Sequence, residues 1–187
     1  MADATYELNS AQKPRFGQAL AALPGQYLKV LTHPSIKTFE EEKDKGSWGL
    51  VWFQLLLLGV ISAFIIVLAY AIAPPDVSSV ARSSGISVQD ARNALVITFA
   101  ILIFILTPIT FLLSGGILYL IARIAGSKGT YLQQIWVTLL FGVPLALLST
   151  LLYLIPVTNQ WLPWVPHIYS VVLIILAMIA VHRRKMA

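Results

Sequence analysis

Residues 93–125 read NALVITFAILIFILTPITFLLSGGILYLIARIA, and the division of this stretch decides the fold. As one straight helix it would run about 50 Å at 1.5 Å per residue, more than the roughly 30 Å of a bilayer's hydrocarbon core. Two readings are open from the residues alone: one long helix, tilted or kinked at Pro108, or two short spans broken at Ser114-Gly115-Gly116. The flanking segments extend the pattern. No Asp, Glu, Lys or Arg occurs from 46 to 75, from 93 to 122, or from 129 to 182. A span needs about 20 mostly apolar residues, so these runs predict further spans at about 49–73, 131–155 and 162–182. Trp48 and Trp52 stand at headgroup level, and Pro74-Pro75-Asp76 ends the first span.

Charge parity resolves the count. With 93–125 as one span, the N-terminal segment, the turn after Arg123 and the C-terminal tail share one side of the membrane. That side then carries eleven Lys and Arg, against two (Arg82 and Arg92) opposite. Five spans would split them six against seven. Basic residues concentrate in cytoplasmic loops, so we expect an all-α integral membrane protein, a four-span bundle (five if 93–125 splits) with both termini cytoplasmic.

The composition agrees: 58% of the residues are hydrophobic and 11% charged, far from the soluble norm. Intrinsic disorder is excluded. With no cysteine there is no disulfide, thiolate metal site or palmitoylated thiol. The net charge of +5 is topology-setting loop charge, and no nucleic-acid partner is expected.

Residues 1–47 are the polar part and precede a membrane domain at 48–187. They contain no apolar core of a cleavable leader, so the first span is expected to act as the anchor. Phe16, Leu20, Leu23, Tyr27, Val30 and Leu31 recur at mostly helical steps, with Lys13, Arg15 and Lys29 beside them. Pro24 and Pro34 predict two short pieces. The segment reads equally as an amphipathic helix in the membrane interface or as an arm packed on the bundle. The run Glu40–Glu42 with Lys43-Asp44-Lys45 reads as a solvated, self-neutralising face. The loop at 74–92 is polar and Ser-rich. Within it Ser87 is a candidate N-cap, with Asp90 reaching back to its amide.

The motifs Tyr27-Leu28-Lys29-Val30-Leu31-Thr32-His33-Pro34 and Phe39-Glu40-Glu41-Glu42, followed by a Gly-Trp entry to the first span, resemble the opening of the Yip-domain superfamily. Leu120-Ile121-Ala122-Arg123-Ile124-Ala125-Gly126-Ser127-Lys128-Gly129, Gln133 with Gln134, Pro144, Ile168-Tyr169 and His182 continue the resemblance across most of 27–182. It implies an all-helical, non-enzymatic membrane protein, usually described with five spans. Eukaryotic members bind Rab-type GTPases and shape Golgi and endoplasmic reticulum membranes. The Asp-Leu-Tyr-Gly-Pro-type element they carry is absent here, so the chain is read as a prokaryotic-type member of an inner membrane, without Rab binding.

Candidate sites are few. No acidic, basic or histidine residue, the usual mark of an ion or proton path, lies inside the first three spans, Arg123 standing at the very end of the second. Pro108, Pro144 and Gly115-Gly116 are read as kinks and packing surfaces before they are read as broken helices around a substrate. His33 is a turn residue. His167 and His182 bracket the last span; each is a weak candidate for contact with a pigment or haem, but at about 22 Å apart they cannot share one iron. No zincin, nucleophile-elbow or P-loop pattern occurs, and Gly126-Ser127-Lys128-Gly129 follows no strand, so no enzyme, metal or resident cofactor is expected.

Pro156, Asn159, Trp161, Leu162, Pro163, Trp164, Pro166, His167 and Tyr169 form a stiff aromatic loop, read as an interfacial belt ahead of a docking surface. Ser114, Gly115 and Gly116, with Ala122 and Gly126, are small-residue patches for close helix contact. Phe16 and Tyr27 are the N-terminal interaction candidates. The expected partners are the lipid bilayer, other integral membrane proteins and further copies of the chain. The leading function is a membrane scaffold. The alternatives are an accessory subunit of a respiratory or photosynthetic complex and, behind it, a small transporter.

Overall fold

The computed structural model describes residues 15–152, 155, 161, 162 and 164–182. Lys13, Pro156, Asn159, Pro163 and the basic tail Arg183-Arg184-Lys185 lie outside the described residues. Every regular element described is a helix: α1 (Phe16–Thr32), α2 (Ile36–Glu42), α3 (Trp48–Ile72), α4 (Ser78–Ser84), α5 (Val88–Ile124), α6 (Tyr131–Leu152) and α7 (Trp164–His182). Four of them, α3, α5, α6 and α7, are long and apolar enough to cross a membrane.

Side-chain caps set several of the starts. Ser35, Ser47 and Ser87 accept from the backbone N–H groups of Thr38, Leu50 and Asp90. At α6 the cap is reciprocal: Gln133 N–H donates to Thr130 Oγ1 (3.2 Å) and Thr130 N–H donates to Gln133 Oε1 (2.8 Å). At Ser87 the Asp90 carboxylate meets the serine hydroxyl (2.6 Å), not the backbone amide expected from the sequence.

Residues 93–125 do not split. They belong to the single 37-residue helix α5, which runs unbroken through Pro108 and Gly115-Gly116. Pro108 removes the N–H that would bond the Phe104 carbonyl. Gly59 of α3 lies against that oxygen, where a Cβ would stand only 3.1 Å from it. A neighbouring helix without a side chain thus seats the interruption.

Pro24 does not divide the N-terminal pattern either, because α1 passes through it. Pro24 is itself exposed, with Ala22 and Gly25, so its ring stands away from the core that Leu23 enters. Pro34 does separate α1 from α2. The Ser-rich loop at 74–92 contains α4, whose buried Ala81 packs with Val77, Ala91 and Leu95.

The hub is α6, with Ile135, Trp136, Val137, Leu139, Leu140 and Phe141 all buried. Four consecutive buried positions, Gln134 to Val137, cover all sides of a helix, so α6 is enclosed. Around it stand α3, α5 and α7, and α3 also packs along α5. The core continues into α1 and α2 through Leu23, Val30 and Phe39, the last edge-on to Phe141. The N-terminal helices therefore pack on the bundle. α2 runs beside α7, and the last turn of α1 reaches Tyr169, whose hydroxyl donates to the Leu31 carbonyl (2.7 Å). Tyr169 is thirteen residues, about 20 Å of helix, from His182.

Candidate functional site

Where α3 begins and α7 ends, polar side chains meet in two clusters. The first centres on Glu42, which the sequence pattern placed on a solvated face. It is buried, 1% exposed. Its carboxylate accepts from Lys29 Nζ (2.8 Å), Lys45 Nζ (2.9 Å) and Gln26 Nε2 (3.1 Å), while Lys29 also reaches Glu41 (2.8 Å). Burial pushes the Glu42 carboxyl up, but the two ammonium partners outweigh it and hold the group below the usual glutamate value. Lys29 is raised by Glu41 and Glu42. Trp136 Nε1 donates to the Glu42 carbonyl (2.9 Å), and a Cβ on Gly46 would collide with the Trp136 ring at 2.4 Å. Lys43 Nζ donates to the Ala180 carbonyl in the last turn of α7 (3.1 Å), so α2 is tied to both α6 and α7.

The second cluster joins the ends of α5, α6 and α7. Gly126, with φ of 83°, ends α5 in a left-handed turn closed by Ser127 N–H to Ala122 O and Gly126 N–H to Arg123 O. This turn brings the Ser127 hydroxyl onto His182 Nδ1, while His182 Nε2 meets Gln134 Oε1 (2.8 Å). Gln134 Nε2 in turn donates to the Gly115 carbonyl (3.1 Å). Gly129 fits under α7 because a Cβ would sit 2.6 Å from Val181. Both ring nitrogens of His182 are thus engaged within the protein.

Beyond this cluster a cavity of about 300 Å³ opens between α5, α6 and α7. Ser114, Gly115, Thr138, Phe141, His167 and Ser170 are among its lining residues. The Thr138 and Ser170 hydroxyls donate to their own helices, to Gln134 O (2.8 Å) and His167 O (2.7 Å), which leaves the lining largely apolar.

The sequence-selected residues fall at several places. Gly115 is an internal contact, with Ile135 Cδ1 occupying the space of a side chain. Gly116 borders open space, with nothing within 4 Å of where a Cβ would stand, and Ser114 is exposed. Trp161 is 82% exposed, and Trp164 stands edge-on to His167. Tyr169 ties α7 to α1. Phe16 packs edge-on to Phe53, and Tyr27 donates to Gln54 Oε1 (2.7 Å). Burial pushes the Tyr27 phenol up to about 12.

Sequence reasoning passed over Glu42 and Gln54. The lone amide at 54 inside an apolar run was the available signal, because a buried polar group requires a partner. Among the described residues no group of three His, Cys, Asp or Glu side chains is placed to hold a metal ion.

A family model described as the Yip1 domain matches residues 28–187. No curated protein and no solved structure matches the chain.

Proposed function

Because the chain belongs to the Yip1 domain family, we propose that it is a non-enzymatic membrane scaffold that binds other integral membrane proteins or organises the bilayer. It is a multi-pass membrane protein with helices in contact with lipid. The observation that carries the scaffold reading is the free surface of α5. Of its 37 residues only Ala91, Pro108, Gly115 and Ala122 are buried, so most of the helix faces whatever surrounds the bundle. Ser114 is exposed and Gly116, on another side of α5, borders open space, each a small residue of the kind that lets a second helix approach closely. The buried polar side chains support the same reading, since Gln54, Gln134 and Glu42 are each bonded to another helix. We place the protein in a prokaryotic inner membrane with both termini cytoplasmic.

The test is isolation in mild detergent followed by native mass analysis, comparing the natural chain with Gly116→Trp. The natural chain is expected to carry a second subunit, of its own kind or another, that the variant loses while keeping its melting temperature. Recovery of the natural chain only as a lone monomer overturns the reading. His167, on the wall of the α5–α7 cavity, favours a second reading, in which an accessory subunit contacts a pigment or haem. An absorption spectrum without visible bands, before and after reconstitution, eliminates it.

A further inference from the structure

At the opposite end of the bundle a second cavity, of about 440 Å³, lies between the end of α3 and the start of α5. Small-ligand clefts run roughly 300–1,000 Å³, so it is large enough to take a headgroup with the top of a chain. Tyr70, Gln89, Arg92 and Asn93 supply its polar wall, and Val67 and Val96 are among the apolar residues that continue it along the spans. No acidic residue lines it.

Arg92 Nε is buried and has no hydrogen-bond partner, and Arg92 forms no ion pair among the described residues. Asp76, whose carboxylate feels the Arg92 charge, is engaged elsewhere: it accepts the Ser78 backbone N–H (2.9 Å) and is held below the usual aspartate value by that bond first, with Arg92 the lesser contributor. Gln89 Nε2 donates to Asn93 Oδ1 (2.9 Å), which leaves the Asn93 amide donors free and aligns the two side chains on one face of α5. Tyr70 is fixed edge-on to Phe99, with its hydroxyl donating to no described residue. Free donors on three side chains therefore share one cavity whose lining holds no carboxylate.

A buried guanidinium nitrogen without an acceptor is costly, and an anion reaching it would supply one. The guanidinium's planar fork matches the oxygens of a phosphate, and the apolar lower wall suits a chain attached to that phosphate. We infer that this cavity is a binding site for the phosphate of an anionic phospholipid, gripped by Arg92 with Asn93 and Tyr70, with its acyl chain lying along Val67 and Val96. The site is separate from the α5–α7 cavity and from the Ser114–Gly116 surface, so its failure leaves the scaffold reading intact.

Native mass analysis after exchange into nanodiscs of phosphatidylglycerol or of phosphatidylcholine tests the site, with a third arm of inorganic phosphate added to delipidated protein in neutral detergent. The natural chain is expected to retain phosphatidylglycerol about tenfold over phosphatidylcholine, the ratio of one strong charged contact. Arg92→Gln should remove that preference. Arg82→Gln, which changes the same charge on exposed α4, should keep it. Tyr70→Phe, a change that preserves packing, should reduce it and serves as the second variant where Arg92→Gln does not fold. Stabilisation by inorganic phosphate alone would identify the free ion as sufficient and still support the phosphate site. Equal retention of both lipids by the natural chain overturns the proposal, as does a preference that survives in Arg92→Gln and Tyr70→Phe.

Discussion

Adjacent glycines in α5 have different roles, and substitution separates them. At Gly115 an added Cβ would lie 2.1 Å from Ile135 Cδ1, the flexible end of a side chain on α6. Gly115→Ala is therefore expected to lower stability by about 1–2 kcal/mol, with Ile135 forced to another rotamer. Shortening that neighbour with Ile135→Val should recover part of the loss, a coupling that a double-mutant cycle of detergent melting curves measures. Gly116→Ala meets open space and should be neutral or stabilising by about 0.5–1 kcal/mol, because alanine is the better helix former. Tyr27→Phe removes the donor to buried Gln54 Oε1 and should cost about 1–2 kcal/mol in the same assay. Its phenol is expected to titrate near 12 in an ultraviolet absorbance titration, against about 10 for an exposed tyrosine.

At the scale of elements, the α1–α2 arm is held by charge, and its hold depends on pH in a definite direction. Glu42 sits below its ordinary value in the folded protein, so its contribution is complete above that value, 4.5, and is lost as the pH falls through the lower folded one. Lys29 sits above its ordinary value of 10.5, so its contribution is complete below 10.5 and is lost only in stronger alkali. Acid should release the arm before it disturbs the spans. Hydrogen exchange at Val30 and Phe39 is expected to accelerate below pH 4.5 while α6 amides stay protected. Glu42→Gln should weaken the arm by about 2 kcal/mol and flatten that acid response.

The spans were legible because hydropathy and loop charge report them without tertiary information: 93–125 could be joined into one helix by counting Lys and Arg. What could not be read depended on neighbours. Nothing local distinguishes Glu42 from Glu40 and Glu41, and only the docking of α2 on α6 and α7 buries it. Pro24 looked like a breaker because its solvated face belongs to the packed arm. Gly115 and Gly116 are identical in sequence terms and differ only in what Ile135 occupies.

For the whole molecule, the four-helix bundle fixes an even number of crossings, so reporters joined before Met1 and after Ala187 are expected on the same side of the membrane. Opposite signals from the two would contradict a four-span bundle. The arm adds a constraint of timing. Tyr169 meets Leu31 across 138 positions of chain, and Lys43 meets Ala180 across 137. The first helices leave the ribosome early, yet the surface that receives them is completed only when the final span has been inserted. Until then the Leu31 and Lys43 contacts with α7 cannot form, and the side of the arm that meets the last span remains open to water, chaperones and proteases. Loss of the last helix should therefore leave a loosened N-terminal arm, held only by α3 and α6, that cellular quality control can recognise, so that full docking of the beginning of the chain becomes the signal that its end has arrived.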